Sequence, residues 1–395
     1  MKLSQRVERL RPSPTLALNQ RAKALKAEGK SIVNLTIGEP DFPTPDRICS
    51  AAVKAIARRE TRYTPTGGIP ELKKAIAKTV SREYGRQYEA SESIVSVGAK
   101  QSLFNLCCAL LDEGSEAVVV APYWVSYVDM VELAGGTARV LRTDEKEHFA
   151  PRISAMEQLI NKRTRILFLN SPSNPTGVTY SRALLEDIVR LAKKWPDLAV
   201  VTDDIYGQLV FDGKAFVSIG MIPELPKEQL VIVSGVSKTY AMTGWRIGYA
   251  LGDKKLISAL ENVQSQSTSG ASSIAQWAAL EAISGEQADV GQMKEEFEHR
   301  RNHIYERLCS IPDVTCEKPD GAFYFFPNIA KYLNSESIDS DDKLAAYLLD
   351  KYGLAVVPGS DFGSPGFLRL SFSASITELD EGLARFEKGL GSVRK

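Results

Sequence analysis

Long apolar runs are missing from this 395-residue sequence. The runs present, such as Ala117-Val-Val-Val-Ala121, fall far short of the roughly 18 residues that cross a bilayer, which excludes a helical membrane span. The stretch from Met1 to Leu10 interleaves charged and apolar residues and lacks the apolar segment of a secretory signal, so the expected location is the cytoplasm. Excess charge of either sign is missing too. The 49 Lys+Arg are matched by 49 Asp+Glu, which argues against a nucleic-acid partner, since such binding rests on surplus Lys and Arg facing phosphates. Cysteine and histidine are scarce. Cys49, Cys107, Cys108, Cys309 and Cys316 are odd in number and lack C-x-x-C spacing, so they read as reduced core thiols rather than disulfides or zinc ligands. His148, His299 and His303 are the only histidines, and the last two stand four apart in a Lys/Glu/Arg-rich stretch, as on a solvated helix face. No metal is expected. Gly/Ser-rich linkers, low-complexity tracts and repeats of roughly 20 to 50 residues are also absent.

What remains is ordinary globular composition, with 44% hydrophobic and 25% charged residues. At roughly 100 to 200 residues per domain, this length predicts two or three structural units. Short β-branched runs at 94–97, 117–121, 166–170, 198–202, 230–233 and 247–251 read as strands. Amphipathic periods at 100–111, 124–134 and 182–194 read as helices between them. Near-continuous apolar strands alternating with helices predict a parallel sheet covered on both faces, hence an α/β domain. After about residue 285 the pattern changes to a long charged helix at 292–308, strands at 322–326, 355–357 and 368–372, and a closing helix at 376–390. That is a second, smaller α+β unit. Arg11-Pro-Ser-Pro-Thr15 disfavours regular structure ahead of the first strand, so residues 1–30 read as an arm.

Gly98-Ala-Lys-Gln follows a strand and opens a helix, where free backbone N–H groups suit a phosphate. No G-x-x-x-x-G-K-[ST] or strand-linked G-x-G-x-x-G occurs, which lowers nucleotide and dinucleotide readings. The informative segment is Gly235-Val-Ser-Lys-Thr-Tyr-Ala-Met-Thr-Gly-Trp-Arg246-Ile-Gly248, with a lysine just past an apolar strand and an arginine eight residues later. It resembles the lysine signature of class I aminotransferases, the fold type I pyridoxal-phosphate enzymes. Asn34-Leu-Thr-Ile-Gly-Glu-Pro-Asp-Phe42, Tyr63 to Leu72, Pro122-Tyr-Trp-Val-Ser-Tyr127, Asn170-Ser-Pro-Ser-Asn-Pro-Thr-Gly177, Asp203-Asp-Ile-Tyr206, Pro319-Asp-Gly-Ala-Phe-Tyr324 and Leu368-Arg-Leu-Ser371 follow in the family's order. The wording at Gly98 and Pro122 is similar to the bacterial aspartate aminotransferase subgroup, some of whose members also accept prephenate.

The resemblance implies a fold type I enzyme with a mostly parallel seven-stranded sheet in a large domain over 49–285. Residues 31–48 with 286–395 would form the smaller α+β domain. It implies pyridoxal 5′-phosphate bound covalently by Lys238, which also serves as general base, with Asp203 holding the pyridine nitrogen protonated. Asn174 and Tyr206 would donate to the ring's phenolic oxygen, and Trp124 would stack on the ring. Ala99 and Lys100 amides, Ser237 and Arg246 would hold the phosphate, joined by Tyr63 of a neighbouring subunit, so a homodimer with composite sites is implied. Gly235 replaces a serine common in the family, which removes part of the phosphate cup; Asp204 replaces a glutamate and receives no role. Arg369 would clamp the substrate α-carboxylate, with Gly38 closing over it, because Arg geometry suits a bidentate task. Lys100, Arg11, Ser13 and Thr15 match positions that meet a distal carboxylate. The expected activity moves the amino group of aspartate or glutamate to a 2-oxoacid. Prephenate or aromatic transamination and β-elimination remain alternatives on the same machinery. A non-catalytic ligand sensor would need a DNA-binding domain, for which the arm is too short.

Overall fold

The computed structural model describes residues 1–4, 7–8, 14–333 and 338–393, apart from the side chains of 14–16. In chain order these form helix α1 (Pro14–Ala27), strand β1 (Val33–Asn34), helices α2 (Asp46–Ala57) and α3 (Pro70–Tyr84), strand β2 (Ser93–Ser96), helix α4 (Ala99–Leu110) and strand β3 (Glu116–Ala121). Next come α5 (Ser126–Leu133), β4 (Thr137–Arg142), α6 (Ile153–Leu159), β5 (Thr164–Asn170), α7 (Arg182–Ala192), β6 (Ala199–Asp203), β7 (Leu230–Gly235) and β8 (Gly248–Leu251). Helices α8 (Lys254–Ser265), α9 (Ser273–Ser284) and α10 (Ala288–Ser310) lead to β9 (Tyr324–Phe325), α11 (Asp341–Tyr352), β10 (Leu354–Ala355), β11 (Val357–Pro358), β12 (Leu368–Ser371) and α12 (Ile376–Val393).

Strands β2-β8-β7-β6-β5-β3-β4, in that order, build one seven-stranded sheet. All its pairings are parallel except those of β8, which runs antiparallel to both β7 and β2. Every residue of β3 and β6 is buried, as a sheet covered on both faces requires. Helix α7 shows how the layers assemble: the Ser181 hydroxyl accepts from the Leu184 amide at its start, and Leu185, Ile188, Val189 and Ala192 turn one stripe into the core. Each such side chain contributes about 1.5 to 3 kcal/mol on burial. Sequence pattern misses β4, because only Leu141 of this edge strand is buried and its apolar alternation is weak.

The smaller unit packs the antiparallel sheet β11-β12-β9 and the parallel pair β1-β10 against α10, α11 and α12. Its core is rich in aromatics, including Phe297, Phe323, Tyr324, Phe325, Phe372 and Phe386. Ile48 and Ala52 of α2 pack in the large core. Helix α10 touches both cores: Val290 packs in the large one, Phe297, Ile304 and Leu308 in the small one. The thiols are not all the core residues expected from sequence. Cys107 and Cys316 are buried, Cys49 and Cys108 are half-buried, and Cys309 is exposed. No helix among the described residues is long and apolar enough to cross a membrane.

Candidate active site

Parallel pairing of β5, β6 and β7 aligns Asn170 with Asp203 and Asp203 with Val233, bringing the carboxyl ends of these strands to one edge. A cavity of about 430 Å³ opens there, closed on its far side by Thr36, Tyr324 and Arg369 of the small unit. Crevices at the carboxyl ends of parallel strands are where α/β proteins place ligands.

Lys238 follows β7 and projects its amine into this cavity, donating to the Gly38 carbonyl oxygen. Burial pushes the amine down to about 8; Glu39 pulls it up, and Arg369 and Arg246 push it further down. Asp203 ends β6, its carboxyl raised to about 6 by burial and held back by the Tyr127 hydroxyl, which donates to Oδ2 at 2.7 Å. Side chains alternate along a strand, so Asp204 points away. There it accepts from Thr202 at 2.6 Å and from Tyr84 and Ser218 at 2.7 Å, outside the cavity. The Asn170 amide donates to the Asp203 carbonyl at 2.8 Å, and its oxygen accepts from the Asn174 backbone at 2.9 Å. Tyr206 and Tyr324 share a hydroxyl contact of 2.8 Å.

One end of the cavity is shaped for an anion. Gly98 precedes α4 with φ 80, and a Cβ there would lie 2.4 Å from Arg246 Nη2. A Cβ on Gly248 would lie 2.0 Å from the Ala99 amide nitrogen, so only glycines allow this approach. The first amides of α4 have no intrahelical acceptor, and with the helix dipole they offer an anion site where Ser237 and Arg246 also line the cavity. Gly235 pairs with Gly248, and a Cβ on it would press within 3.0 Å of Gly248 Cα, which explains glycine at this position in this chain. Lys100 lays its ammonium 4.8 Å from the Trp124 ring centre.

At the opposite end Arg369 is buried between the rings of Tyr324, 4.5 Å away, and Phe362, 5.1 Å away. Its Nη1 donates to Asn174 Oδ1 at 3.0 Å and its Nη2 to the Thr36 carbonyl at 2.7 Å. Nε is buried with no partner. A guanidinium carries five N–H donors, so this one, lining the cavity, keeps donors unmatched by the protein.

Of the residues expected from sequence, Gly38, Ala99, Lys100, Trp124, Asn174, Asp203, Tyr206, Ser237, Lys238, Arg246 and Arg369 all line this cavity. Tyr63 does not; it stands fully exposed on the surface. Arg11, Ser13 and the side chain of Thr15 lie outside the described residues. Sequence reasoning missed Tyr127, Thr36, Glu39 and Tyr324, each of which ends or sits within a motif already noted, and Phe362 and Asn19. For Asn19, on α1, no local signal exists.

The profile of the family "aminotransferase class I and II" matches residues 30–386. The chain belongs to that family. Among relatives of these aminotransferases, the aspartate aminotransferase of Geobacillus stearothermophilus is 46% identical over 389 residues, 98% of each chain. The aspartate/prephenate aminotransferase of Nitrosomonas europaea is 44% identical over 392 residues, again 98% of each. The solved aspartate aminotransferase of Rhizobium meliloti superposes with a TM-score of 0.95 at 41% identity, covering 99% of both chains. That of Thermus thermophilus with maleate gives 0.93 at 41% identity, covering 98% of this chain and 100% of the other. The protein is thus a fold type I aminotransferase, and membership implies pyridoxal 5′-phosphate as coenzyme.

Proposed function

We propose that this aminotransferase takes the amino group of L-aspartate or L-glutamate and passes it to 2-oxoglutarate or oxaloacetate, with prephenate as a further acceptor. The observation that carries the reading is one cavity holding a depressed-pKa lysine amine, a buried carboxylate, an anion cradle and an arginine with unmatched donors. These residues fit pyridoxal 5′-phosphate: Lys238 would hold its aldehyde carbon, the start of α4 with Ser237 and Arg246 its phosphate, Trp124 a ring face, and Asn174 with Tyr206 its phenolic oxygen. When bound, the coenzyme supplies an electron sink for charge that develops at the substrate Cα.

The protein's own groups do the rest. Asp203 would keep a proton on the ring nitrogen of the bound coenzyme: an opposite charge within about 4 Å is worth about 4 kcal/mol at an effective dielectric of 20, roughly three pKa units. That attraction also returns the carboxyl to its ionised form. Arg369 binds the α-carboxylate, held flat by its two flanking rings and oriented by Asn174 and Thr36. Lys238 Nζ would take the Cα proton, and burial lowers its amine to about 8, so it is free base at a pH well below that of an ordinary lysine. Lys100 supplies the positive charge for a distal carboxylate. We extend the reading to a homodimer, in which Tyr63 reaches the partner's phosphate cradle; exposed Val53, Ile56 and Tyr63 support a covered surface there.

Steady-state rates with a panel of amino donors against 2-oxoglutarate, and with prephenate as acceptor, test the assignment. Parallel double-reciprocal lines and preference for acidic donors are expected. Equal use of neutral and aromatic donors would replace the substrate class. Lys100→Ala should weaken acidic donors selectively, by about tenfold to a hundredfold, as expected of a hydrogen-bonded charge pair.

A further inference from the structure

The guanidinium of Arg369 is oriented partly by a backbone oxygen, and that oxygen is held from an unexpected direction. Arg369 Nη2 donates to the Thr36 carbonyl at 2.7 Å, just past the end of β1. Both the amide and the hydroxyl of Thr36 donate to Asn34 Oδ1, at 3.1 and 2.7 Å. A backbone amide can only donate, so the Asn34 side chain must present its oxygen to Thr36 and its NH₂ elsewhere. That NH₂ donates to Asn19 Oδ1 on α1 at 2.8 Å. Asn19 itself lines the cavity, as does Thr36. Helix α1 is also held by Ala22, Leu18 and Leu25, which pack on Leu349 and Ala355, and by Arg21, which pairs with Asp350 at 2.6 Å in an exposed bridge.

We propose that Asn19, Asn34 and Thr36 form a relay that ties α1 to Arg369, making Asn19 and Asn34 positioning residues for recognition of the substrate α-carboxylate. The inference rests on the assignment of Arg369 as the carboxylate site. The relay couples both ways by linkage: seating α1 orients the guanidinium, and a carboxylate on Arg369 steadies α1. The polarity of the chain makes it separable from packing. Asn19→Asp keeps the acceptor that Asn34 needs, Asn19→Leu keeps the size and loses it, and Asn34→Asp keeps the acceptor for Thr36 and loses the donor to Asn19.

The test uses coenzyme-loaded enzyme. The Kd of succinate from absorbance titration, KM and kcat for L-aspartate, coenzyme affinity, and hydrogen exchange of residues 14–27 with and without succinate are measured. Asn19→Leu and Asn34→Asp should raise the succinate Kd and the aspartate KM about three- to tenfold, the size of one neutral hydrogen bond. Their kcat should stay within about twofold and coenzyme affinity should not move, the pattern of lost ground-state binding. Succinate should slow exchange in α1 of the wild type and of Asn19→Asp, and not of Asn19→Leu. Unchanged succinate binding in Asn19→Leu, or equal effects of Asn19→Leu and Asn19→Asp, would overturn the relay. A wild type that shows no coenzyme band and no transamination sinks the functional assignment instead, so the two failures are distinguishable.

Discussion

The two ends of the cavity are built differently. The Lys238 end is a rim of strand termini: Asp203 and Asn170 end β6 and β5 and Lys238 lies three residues past β7, on strands locked by ladder hydrogen bonds and a core buried on both faces. The Arg369 end is gathered from separate segments, with rings from Tyr324 and Phe362, an oxygen from Thr36 and an amide from Asn174 across the cleft. The first end is preformed by a sheet and suited to a resident group. The second depends on how the small unit sits and suits a ligand that comes and goes.

Substitutions at each end should separate these roles. Lys238→Ala carries the largest effect: the covalent coenzyme absorbance disappears and kcat falls about 10²- to 10⁴-fold, roughly 3 to 5 kcal/mol. Retained transamination would break the division at once. Arg369→Lys should lower kcat/KM for every amino acid about tenfold to a hundredfold, because a bidentate charged contact is lost, while the coenzyme spectrum stays as in the wild type. A spectrum altered as much as the kinetics would merge the two ends.

Tyr127→Phe tests the rigid end more finely. Its hydroxyl lowers the Asp203 carboxyl, so its removal raises that carboxyl further, and activity should be lost at a higher pH on acidification than in the wild type. Coenzyme affinity should weaken by about tenfold. An acidic limb that does not move would show that Tyr127 only fills space.

The smallest effects concern pH in the coenzyme-free protein. Capture of added coenzyme should accelerate through about pH 8, where the buried Lys238 amine becomes neutral, rather than near the ordinary lysine value. The stability signs are opposite for the two groups. Asp203 binds its proton up to about pH 6 in the fold but only to the usual carboxylate range when unfolded, so it makes stability fall as pH rises across that window. Unfolded Lys238 stays protonated above pH 8 while the folded amine does not, so it makes stability rise with pH there. Thermal melts of the wild type against Lys238→Met would show the second slope vanish.

Much of this was legible in the residues. Strands β3, β5, β6 and β7 are written as apolar runs because both their faces are buried, and the lysine and arginine of the Gly235–Gly248 segment lie close together in sequence. Strand β4 was not, since an exposed edge leaves little apolar signature. Tyr127 was present in a noted motif, yet its role needs the distance to Asp203, 76 positions away. The thiols misled because burial of Cys309 depends on the packing of α10, not on its neighbours in the chain.

The sequence by itself determined the chemistry available: which amine, carboxylates and guanidinium exist, and which glycines permit backbones to approach. Tertiary structure alone decided that Asp203 faces the cavity while Asp204 faces away, that Arg369 keeps unmatched donors, and that Asn19 reaches it through Asn34. The physical reason is that alternation along a strand and hydrogen-bond partners more than 300 residues apart, as between Arg369 and Thr36, are settled only when the sheet and the small unit close on one another.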